Sequence, residues 1–350
     1  MIRKIGILTS GGDSPGMNAA VVGVARCAAA HGIQLMGIKR GYNGLLGLSE
    51  RPEDDIDALD LETVLDIADG RGTFLRTARC DEFKQPEVQR QCAQNLRNLG
   101  IDALVVCGGD GSFNGALRLA ELGIPCIGIP GTIDNDLGYT ERTLGFDSAV
   151  NCCVEAVRSI RATSRSHDRP AVVQVMGRHC GDIAMKTAMA TGAEMIVVPE
   201  MRWDVDKVAE RLNNLVARGN TRATLIISEN CWDNMKEFDW SKFLNDNGKT
   251  IYPHEPINAE RLASILKRKC NGLEVRATVL GYTQRGVQPT AEDSAFAFEA
   301  ANLAIQLLNR GVINQAIGIR HGRVFNMPIA DALLMKKHFD RETYDLINSL

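Results

Sequence analysis

The chain has 350 residues, 45% of them hydrophobic, and carries 40 basic and 43 acidic side chains with a formal net charge of -3. This length predicts about two domains and a core large enough to need no disulfide or metal. Because the charges are interspersed and form no basic stripe, the sequence predicts no nucleic-acid partner.

Cysteine usage and the N-terminal segment predict a cytoplasmic protein. The ten cysteines show no paired metal-ligand spacing, and several lie in apolar runs, where a thiol behaves as a small hydrophobic side chain. The first residues lead into the polar segment from Thr9 to Asp13, which fits no secretory signal. No run approaches the roughly 18 apolar residues of a membrane-spanning helix, so we expect no membrane partner.

Short β-branched runs recur along the chain with helical patterns between them. The predicted strands are Ile5 to Leu8, Leu104 to Cys107, Cys126 to Ile129, Val172 to Val175, Met195 to Val198, Thr224 to Ile227 and Arg276 to Leu280. This rhythm predicts an α/β fold with a mostly parallel, doubly wound sheet covered on both faces. The clearest helix begins at Val205, with Asp204 as its N-cap and Gly219 just past its end. The stretch from Asn230 to Asn258 is predicted as an irregular excursion from the sheet.

Glycine-rich loops are the first sign of function. A predicted strand runs into glycines and then a helix at residues 9–18 (TSGGDSPGMN), 108–115 (GGDGSFNG) and 176–182 (MGRHCGD). Glycines let backbone N–H groups approach a phosphate, and the helix N-terminus adds partial positive charge. The first loop has Met17 and Asn18 where a P-loop has Lys and Ser/Thr, and the second departs from the dinucleotide fingerprint by one residue. The loops therefore predict phosphate binding, but through neither a P-loop nor a dinucleotide-binding fingerprint.

Two acidic positions follow neighbouring predicted strands. Asp110 is either the N-cap of the next helix or a magnesium ligand. In the segment 130–136 (PGTIDND), Asp134 and Asp136 would share a face if the chain were extended. Ligands of open α/β sheets bind at this edge, although a turn of Gly, Asn and Asp needs no function.

Arginines complete the pattern near strand ends and turns, where guanidinium groups suit phosphate: Arg79, Arg169, Arg178, Arg276 and Arg285. Scattered arginines are commonly surface residues. The residues by themselves therefore predict a phosphate-handling α/β enzyme and no more.

Taken together, six segments resemble the bacterial-type ATP-dependent 6-phosphofructokinases. They are TSGGDSPGMNAA (9–20), GTFLRTAR (72–79), GGDGS (108–112), PGTIDND (130–136), MGRHCGD (176–182) and RATVLGYTQRG (276–286). The resemblance runs from residue 1 to about 330. It implies two doubly wound, Rossmann-like domains with the active site in the cleft between them. The implied domains are an ATP-binding domain of residues 1–145 plus about 282–330, and a sugar-phosphate-binding domain of about 146–281 plus a C-terminal helix at 331–350.

The family activity is transfer of the ATP γ-phosphoryl group to the 1-hydroxyl of fructose 6-phosphate, in glycolysis, giving fructose 1,6-bisphosphate and ADP. The resemblance implies ATP binding by Gly12, Tyr42, Arg79, Cys80, Gly109, Asp110, Gly111 and Ser112, with Asp110 on Mg²⁺. It implies sugar-phosphate binding by Thr132, Ile133, Asp134, Met176, Gly177, Arg178, Glu229, Tyr282 and Arg285. Asp134 is the implied proton acceptor, and Thr132 and Arg178 are the other implied catalytic residues. Arg169 and Arg276 are implied to reach in from a neighbouring subunit of a homotetramer.

Departures from the family pattern bear on the donor, the sugar and regulation. Pyrophosphate-using relatives carry Asp and Lys where this chain has Gly111 and Gly131, so the sequence favours ATP. Tyr282 replaces a usual histidine, which leaves open another ketose phosphate, such as sedoheptulose 7-phosphate, as the substrate. A weakly catalytic regulatory paralogue is the third alternative, disfavoured by the intact Asp110, Asp134 and Arg178. Allosteric control is implied but open, because uncharged residues replace basic ones at the family's effector site: Val22, Asn220 and Thr221.

Overall fold

The structure is a computed structural model that describes residues 2–47, 55–236 and 257–349. The chain forms two compact units. The first comprises Met1–Ala149 and Arg285–His338, and the second comprises Val150–Gln284 and Phe339–Leu350. Most of the predicted excursion from Asn230 to Asn258 lies outside the described residues.

Strands and helices alternate through the described part of the chain. Its eleven strands are β1 (Lys4–Ser10), β2 (Gln34–Ile38), β3 (Ile56–Leu59), β4 (Ala103–Gly108), β5 (Cys126–Pro130), β6 (Ala171–Val175), β7 (Met195–Val197), β8 (Thr224–Ser228), β9 (Arg276–Val279), β10 (Gln315–Arg320) and β11 (Arg323–Pro328). Its twelve α-helices are α1 (Met17–Ala30), α2 (Asn43–Leu46), α3 (Leu61–Val64), α4 (Pro86–Asn98), α5 (Asp110–Glu121), α6 (Phe146–His167), α7 (Asp182–Thr191), α8 (Val205–Ala217), α9 (Ala259–Lys269), α10 (Ala291–Asn309), α11 (Ile329–Leu334) and α12 (Arg341–Ser349). Short 3₁₀ helices cover Leu65–Ile67, Glu82–Lys84, Cys231–Asn234 and Gly281–Gln284.

The first unit is built on a seven-stranded sheet in the order β11-β10-β5-β4-β1-β2-β3. The five inner strands run parallel, while β3 and β11 pair antiparallel at the two edges. Side chains of β4 alternate between two cores: Val105 and Cys107 pack with α1 and α10, and Leu104 and Val106 pack with α4 and α5. Both faces are therefore covered, which confirms the predicted doubly wound sheet.

The second unit contains a parallel four-stranded sheet in the order β7-β8-β6-β9. Helix α8 confirms the predicted boundaries, since the Asp204 carboxylate accepts a hydrogen bond from the N–H of Asp206 at 2.9 Å. Gly219 follows the helix in the left-handed region with φ of 89°. The apolar side chains of α8 and α9 bury against Val172, Leu225 and Ile227 of the sheet.

The structure adds strands that the sequence prediction missed, namely β2, β3, β10 and β11. Two of them, β3 and β11, are antiparallel edge strands whose side chains are mostly half-buried, so they lack the continuous apolar run of an inner strand. The domain limits also differ. Residues 331–338 belong to the first unit, because Ile329 and Ala332 of α11 are buried in its core. No helix among the described residues is long and apolar enough to cross a membrane.

Candidate active site

The first unit gathers several glycine-rich segments at one edge of its sheet. Strands β1, β4 and β5 are parallel neighbours, so the segments that follow them leave from the same edge. These segments are the first glycine loop after β1, GGDGS after β4 and PGTIDND after β5. A backbone hydrogen bond of 3.0 Å from the N–H of Gly131 to the carbonyl of Gly108 joins the last two.

The GTFLRTAR segment lies against the first glycine loop. The N–H of Gly11 donates to the carbonyl of Ala78 at 3.3 Å, and the Thr77 hydroxyl donates to the carbonyl of Gly11 at 3.0 Å. The next residue, Arg79, borders a cavity of about 410 Å³ that is lined by Arg40, Asn43, Arg79, Asp81 and Glu82. The structure thus places a cavity of the size of a small-ligand pocket beside the phosphate-loop candidate.

Arg285 lies on the first glycine loop. Its guanidinium Nη1 donates to the carbonyl of Asp13 at 2.7 Å. A Cβ atom added at Gly12 would lie 2.8 Å from the same Nη1, so a side chain there would displace the guanidinium. The family resemblance implied that Arg285 binds the sugar phosphate and Gly12 binds ATP, and the structure places these two residues next to each other.

Asp110 is the first residue of α5 and is exposed. The N-cap is Gly109, which makes no side-chain capping bond, so the alternative in which Asp110 is the N-cap is wrong. The Asp110 carboxylate accepts a hydrogen bond of 3.1 Å from Asn114 Nδ2. A Cβ at Gly111 would meet no atom within 4 Å. The start of α5 therefore presents a carboxylate in open space at a helix N-terminus, where an anionic ligand is also favoured.

Tyr42 supports this loop from the buried side. Its hydroxyl donates to the carbonyl of Ser112 at 2.6 Å, and its ring stacks on Phe83 with 4.2 Å between centroids. Only 4% of Tyr42 is exposed, and burial holds the pKa of its hydroxyl well above the usual value. Tyr42 therefore positions the loop, and little of its surface is left for a ligand.

The PGTIDND turn is fixed by internal hydrogen bonds. The N–H of Asp134 donates to Thr132 Oγ1 at 3.2 Å, and Asn135 Oδ1 accepts from the N–H of Thr143 at 3.0 Å. Asn135 has φ of 55°, so the chain is not extended here, and the predicted shared face of Asp134 and Asp136 is wrong in its geometry. Both aspartates are nevertheless half-buried, and Asn135 between them is buried.

The two acidic loops touch. A Cβ atom added at Gly109 would lie 3.6 Å from Thr132 Cβ, so the residue before Asp110 packs on the residue that orients Asp134. Ile133 is fully buried, and its side chain belongs to the core. The first unit thus holds a carboxylate at a helix start next to a second carboxylate on a fixed turn.

The second unit places its candidate residues at two opposite edges of its sheet. Met176, Gly177 and Arg178 follow β6, and Glu229 follows β8, its parallel neighbour, in which Ser228 pairs with Val175. These four residues therefore lie at the carboxyl edge. Gly177 has φ of 110°, and a Cβ there would lie 2.4 Å from the Cys180 carbonyl oxygen, so only glycine fits. Arg178 is exposed.

Arg169 and Arg276 lie at the amino edge of the same sheet. Arg276 begins β9 and pairs with Ala171 at the start of β6, about 13 Å from the last residue of that five-residue strand at about 3.3 Å per residue. Arg169 Nε lies 2.9 Å from a carboxylate oxygen of Glu274, which also contacts Arg276. The unit does not bring these arginines together with Arg178.

The family model described as phosphofructokinase matches residues 4–308. The chain belongs to the phosphofructokinase family. A protein of Clostridium perfringens named ATP-dependent 6-phosphofructokinase 1 is 41% identical over 349 residues, which cover 100% of this chain and 99% of that protein. One of Alkaliphilus metalliredigens, named ATP-dependent 6-phosphofructokinase, is 42% identical over 349 residues with the same coverage.

Solved structures agree with the family assignment. The structure of phosphofructokinase from Saccharomyces cerevisiae matches with a TM-score of 0.81 and 31% sequence identity, covering 99% of this chain and 50% of that chain. This chain therefore spans about half the length of the yeast chain.

Sequence reasoning about this phosphofructokinase-family chain missed one buried residue, Gln284. Its amide contacts the backbone of Met176 and of Gly281, whereas the neighbouring Tyr282 is 84% exposed. The signal was present, because Gln284 lies inside the quoted motif RATVLGYTQRG. It was passed over because an uncharged amide suggests no chemistry of its own.

Asn220, at a position where the resemblance implies a basic effector-site residue, contacts Glu194 within this chain. The Glu194 carboxylate accepts from Arg161 Nη1 at 3.0 Å, from Asn220 Nδ2 at 3.0 Å and from the N–H of Thr224 at 2.8 Å. Val22 is only 1% exposed and belongs to the core of the first unit. Allosteric control stays a prediction.

Proposed function

We propose that the chain is an ATP-dependent 6-phosphofructokinase, a phosphotransferase that phosphorylates the 1-hydroxyl of fructose 6-phosphate. The observation that carries this proposal is the contact between the two acidic loops of the first unit. It sets Asp110, at the start of α5, beside the fixed turn that holds Asp134. Relatives that carry this enzyme name are 41% and 42% identical along almost their whole length.

Asp134 is the proposed proton acceptor. A carboxylate is a weak base toward a free alcohol, but it can orient the hydroxyl and take its proton as the new P–O bond forms. The hydrogen bond from the N–H of Asp134 to Thr132 Oγ1 restrains the residue, which is what positioning catalysis requires. Arg178, exposed and always charged, is the proposed stabiliser of charge on the transferred phosphoryl group.

ATP is the proposed donor at the first unit's glycine loops and neighbouring residues. Mg²⁺ prefers oxygen ligands and is commonly held by one or two carboxylates together with substrate phosphates. The exposed Asp110 fits this mode, and no cluster of three or more His, Cys, Asp or Glu that could cage a metal occurs within the described ranges. Bound Mg²⁺ would neutralise charge on the nucleotide phosphates, while backbone N–H groups at Gly12, Gly109 and Gly111 and the Arg79 guanidinium would position them.

Packing around Gly131 supports ATP over pyrophosphate. A Cβ atom at Gly131 would lie 2.8 Å from Cys107 Sγ and 3.1 Å from Met17 Cε, so a side chain there, such as the lysine of pyrophosphate-using relatives, would have to displace the Cys107 thiol and the Met17 methyl group. The other discriminating position, Gly111, is open and presents no carboxylate. The donor side therefore lacks both groups that the alternative donor uses.

The sugar phosphate is assigned to Met176, Gly177, Arg178, Glu229 and Tyr282 of the second unit, together with Thr132, Asp134 and Arg285 of the first. Arg169 and Arg276 lie at the opposite edge of the second unit's sheet from Arg178. Their position supports their proposed action on the substrate of a neighbouring copy, and hence a homotetramer with shared sites. The ten free cysteines are typical of a reducing compartment and support the proposed cytoplasmic location.

Initial rates over a panel of donors and acceptors test the proposal. ATP and pyrophosphate are each paired with fructose 6-phosphate and sedoheptulose 7-phosphate, and ADP or phosphate release is coupled to an absorbance change. We expect the highest kcat/KM for ATP with fructose 6-phosphate. The exposed Tyr282, in place of a histidine, favours the seven-carbon ketose phosphate as the second candidate, and a higher kcat/KM for that sugar would replace the first.

A further inference from the structure

We infer that Gln284 is a positioning residue that fixes the loop of residues 176–178 relative to the 3₁₀ turn Gly281–Gln284, which carries Tyr282. The inference rests on the proposed function in one respect, since it takes both segments as sugar-phosphate contacts. Nothing in the family assignment gives Gln284 a role. Its evidence is a closed set of hydrogen bonds in the second unit.

Gln284 is fully buried, and both ends of its amide are used. Its Oε1 accepts from the N–H of Met176 at 3.1 Å and lies 3.0 Å from the Cys153 thiol on α6. Its Nε2 donates to the carbonyl of Gly281 at 3.0 Å. One side chain therefore ties the loop after β6 to the turn after β9.

The orientation of this amide is decided by its partners. The N–H of Met176 can only donate and the carbonyl of Gly281 can only accept, so Oε1 must face the first and Nε2 the second. A residue that lacks the acceptor leaves the buried N–H of Met176 without its partner, which is costly, and a residue that lacks the donor leaves the half-buried carbonyl of Gly281 without its partner. A side chain with both a donor and an acceptor at this length is therefore required at position 284.

The loop that Gln284 holds contains a glycine, whose backbone has more conformational freedom than that of other residues. Gly177, directly after Met176, has φ of 110°, a region that glycine enters freely. The hydrogen bond to the N–H of Met176 therefore restrains the position from which Gly177 and Arg178 project. Loss of this bond should disorder the proposed sugar-phosphate contacts and leave the nucleotide loops of the first unit unaffected.

The test compares Gln284→Met with Gln174→Met in the full-length protein. Gln174 is a matched control, because it lies on β6 two residues before Met176 and its buried Oε1 accepts no hydrogen bond within the part of the chain that the structure describes. For Gln284→Met we expect the KM for fructose 6-phosphate to rise about tenfold, equivalent to about 1.4 kcal/mol, with the KM for ATP within twofold. For Gln174→Met we expect neither KM to change by more than twofold. A Gln284→Met enzyme that matches the control, or in which both KM values rise together, overturns the inference.

Gln284→Leu is the second variant if Gln284→Met does not fold. It is shorter than methionine and likewise removes both the acceptor for Met176 and the donor to Gly281, so we expect a rise in the same KM. An unchanged KM, or equal rises in both KM values, overturns the inference for this variant.

Hydrogen exchange separates this inference from the proposed function. In Gln284→Met, the peptide containing residues 176–178 should exchange faster than in Gln174→Met, whichever substrate the enzyme uses. If the unmodified protein does not phosphorylate fructose 6-phosphate, the proposed function fails and exchange alone decides the positioning role. Equal exchange in the two variants contradicts it.

Discussion

At the residue scale, two carboxylates lie on loops that touch, and each has a different environment. Asp110 is exposed at the start of α5, where Asn114 donates to it, whereas Asp134 is half-buried on a turn fixed by Thr132 and Asn135. Exposure suits a group that binds a metal brought in with a nucleotide. Fixed orientation suits a group that receives a proton from a bound hydroxyl. Neutralising Asp110 and neutralising Asp134 should therefore change different kinetic properties of the enzyme.

Asp134→Asn should lower kcat by at least about 10²-fold while leaving both KM values within a few-fold, because the isosteric amide keeps the shape and removes the base. Asp136→Asn is the matched control, since it is a half-buried aspartate of the same turn, and we expect it to keep kcat within threefold. Steady-state kinetics of the two variants check this. A near-normal kcat in Asp134→Asn would remove Asp134 from the chemistry.

Asp110→Asn should raise the Mg²⁺ concentration needed for half-maximal rate, because the metal loses one negatively charged ligand. Its thermal stability should stay near that of the unmodified protein, since Gly109 and not Asp110 is the N-cap of α5. A Mg²⁺ titration and a melting curve on the same preparation measure both effects. An unchanged titration would leave Asp110 without a role in metal binding.

At the element scale, the start of α5 decides what reaches the donor side. Gly111 has open space around its Cβ position, so a side chain there is accommodated by the fold and projects into the region assigned to ATP. Gly131, on the neighbouring loop, is closed by Cys107 and Met17. Gly111 therefore leaves open space on the donor side, whereas Gly131 lies where neighbouring side chains already fill the space.

Gly111→Asp should raise the KM for ATP at least about tenfold with little change in the KM for fructose 6-phosphate, because it adds a second carboxylate near the nucleotide phosphates. Gly111→Ala is the control for bulk without charge and should stay within threefold for both substrates. Paired kinetics of these variants give the comparison. Unaffected ATP kinetics in Gly111→Asp would mean that the donor loop lies elsewhere.

Sequence patterns predicted most of the inner strands, but they missed the inner strands β2 and β10 as well as the edge strands β3 and β11. The inner strands β4, β5, β6 and β8 are continuous apolar runs, so their existence and parallel pairing could be read directly. The antiparallel edge strands β3 and β11 have one or both faces partly exposed, and they give no such signal. Local periodicity reports burial, and burial is weakest at the edges of a sheet.

The sequence could predict which segments form the candidate site, but it could not predict the contacts between their side chains. The glycine loops and their order identify the carboxyl edge of the sheet, and the structure places these loops side by side. The left-handed Asn135 and the amide of Gln284 depend on tertiary hydrogen bonds with Thr143 and Met176, which are distant in sequence. Arg169 and Arg276 were predicted near the substrate by resemblance, and their position at the amino edge follows only from strand register.

At the scale of the whole molecule, the ten cysteines are free, and most of them are buried. Burial raises the pKa of the Cys92 thiol to about 12 and that of the Cys107 thiol to about 12, so neither forms the reactive thiolate near neutral pH. The half-buried cysteines are Cys27, Cys80 and Cys152. These thiols support the core as apolar side chains and not as a redox centre.

A thiol titration at pH 8 with a disulfide reagent should therefore modify only the half-buried cysteines Cys27, Cys80 and Cys152 in the native protein, and all ten after denaturation. Peptide mass mapping identifies the modified residues. Rapid modification of Cys107 or Cys92 without denaturant would contradict the core packing described for the first unit.

The central claim is that the chain transfers the γ-phosphoryl group of ATP to the 1-hydroxyl of fructose 6-phosphate. The most direct measurement is ³¹P NMR of a reaction containing the enzyme, ATP, Mg²⁺ and fructose 6-phosphate. We predict that fructose 1,6-bisphosphate and ADP appear in equal amounts as the γ-phosphate signal of ATP decays. The absence of a new phosphomonoester at carbon 1, or its formation only when pyrophosphate replaces ATP, would contradict the account.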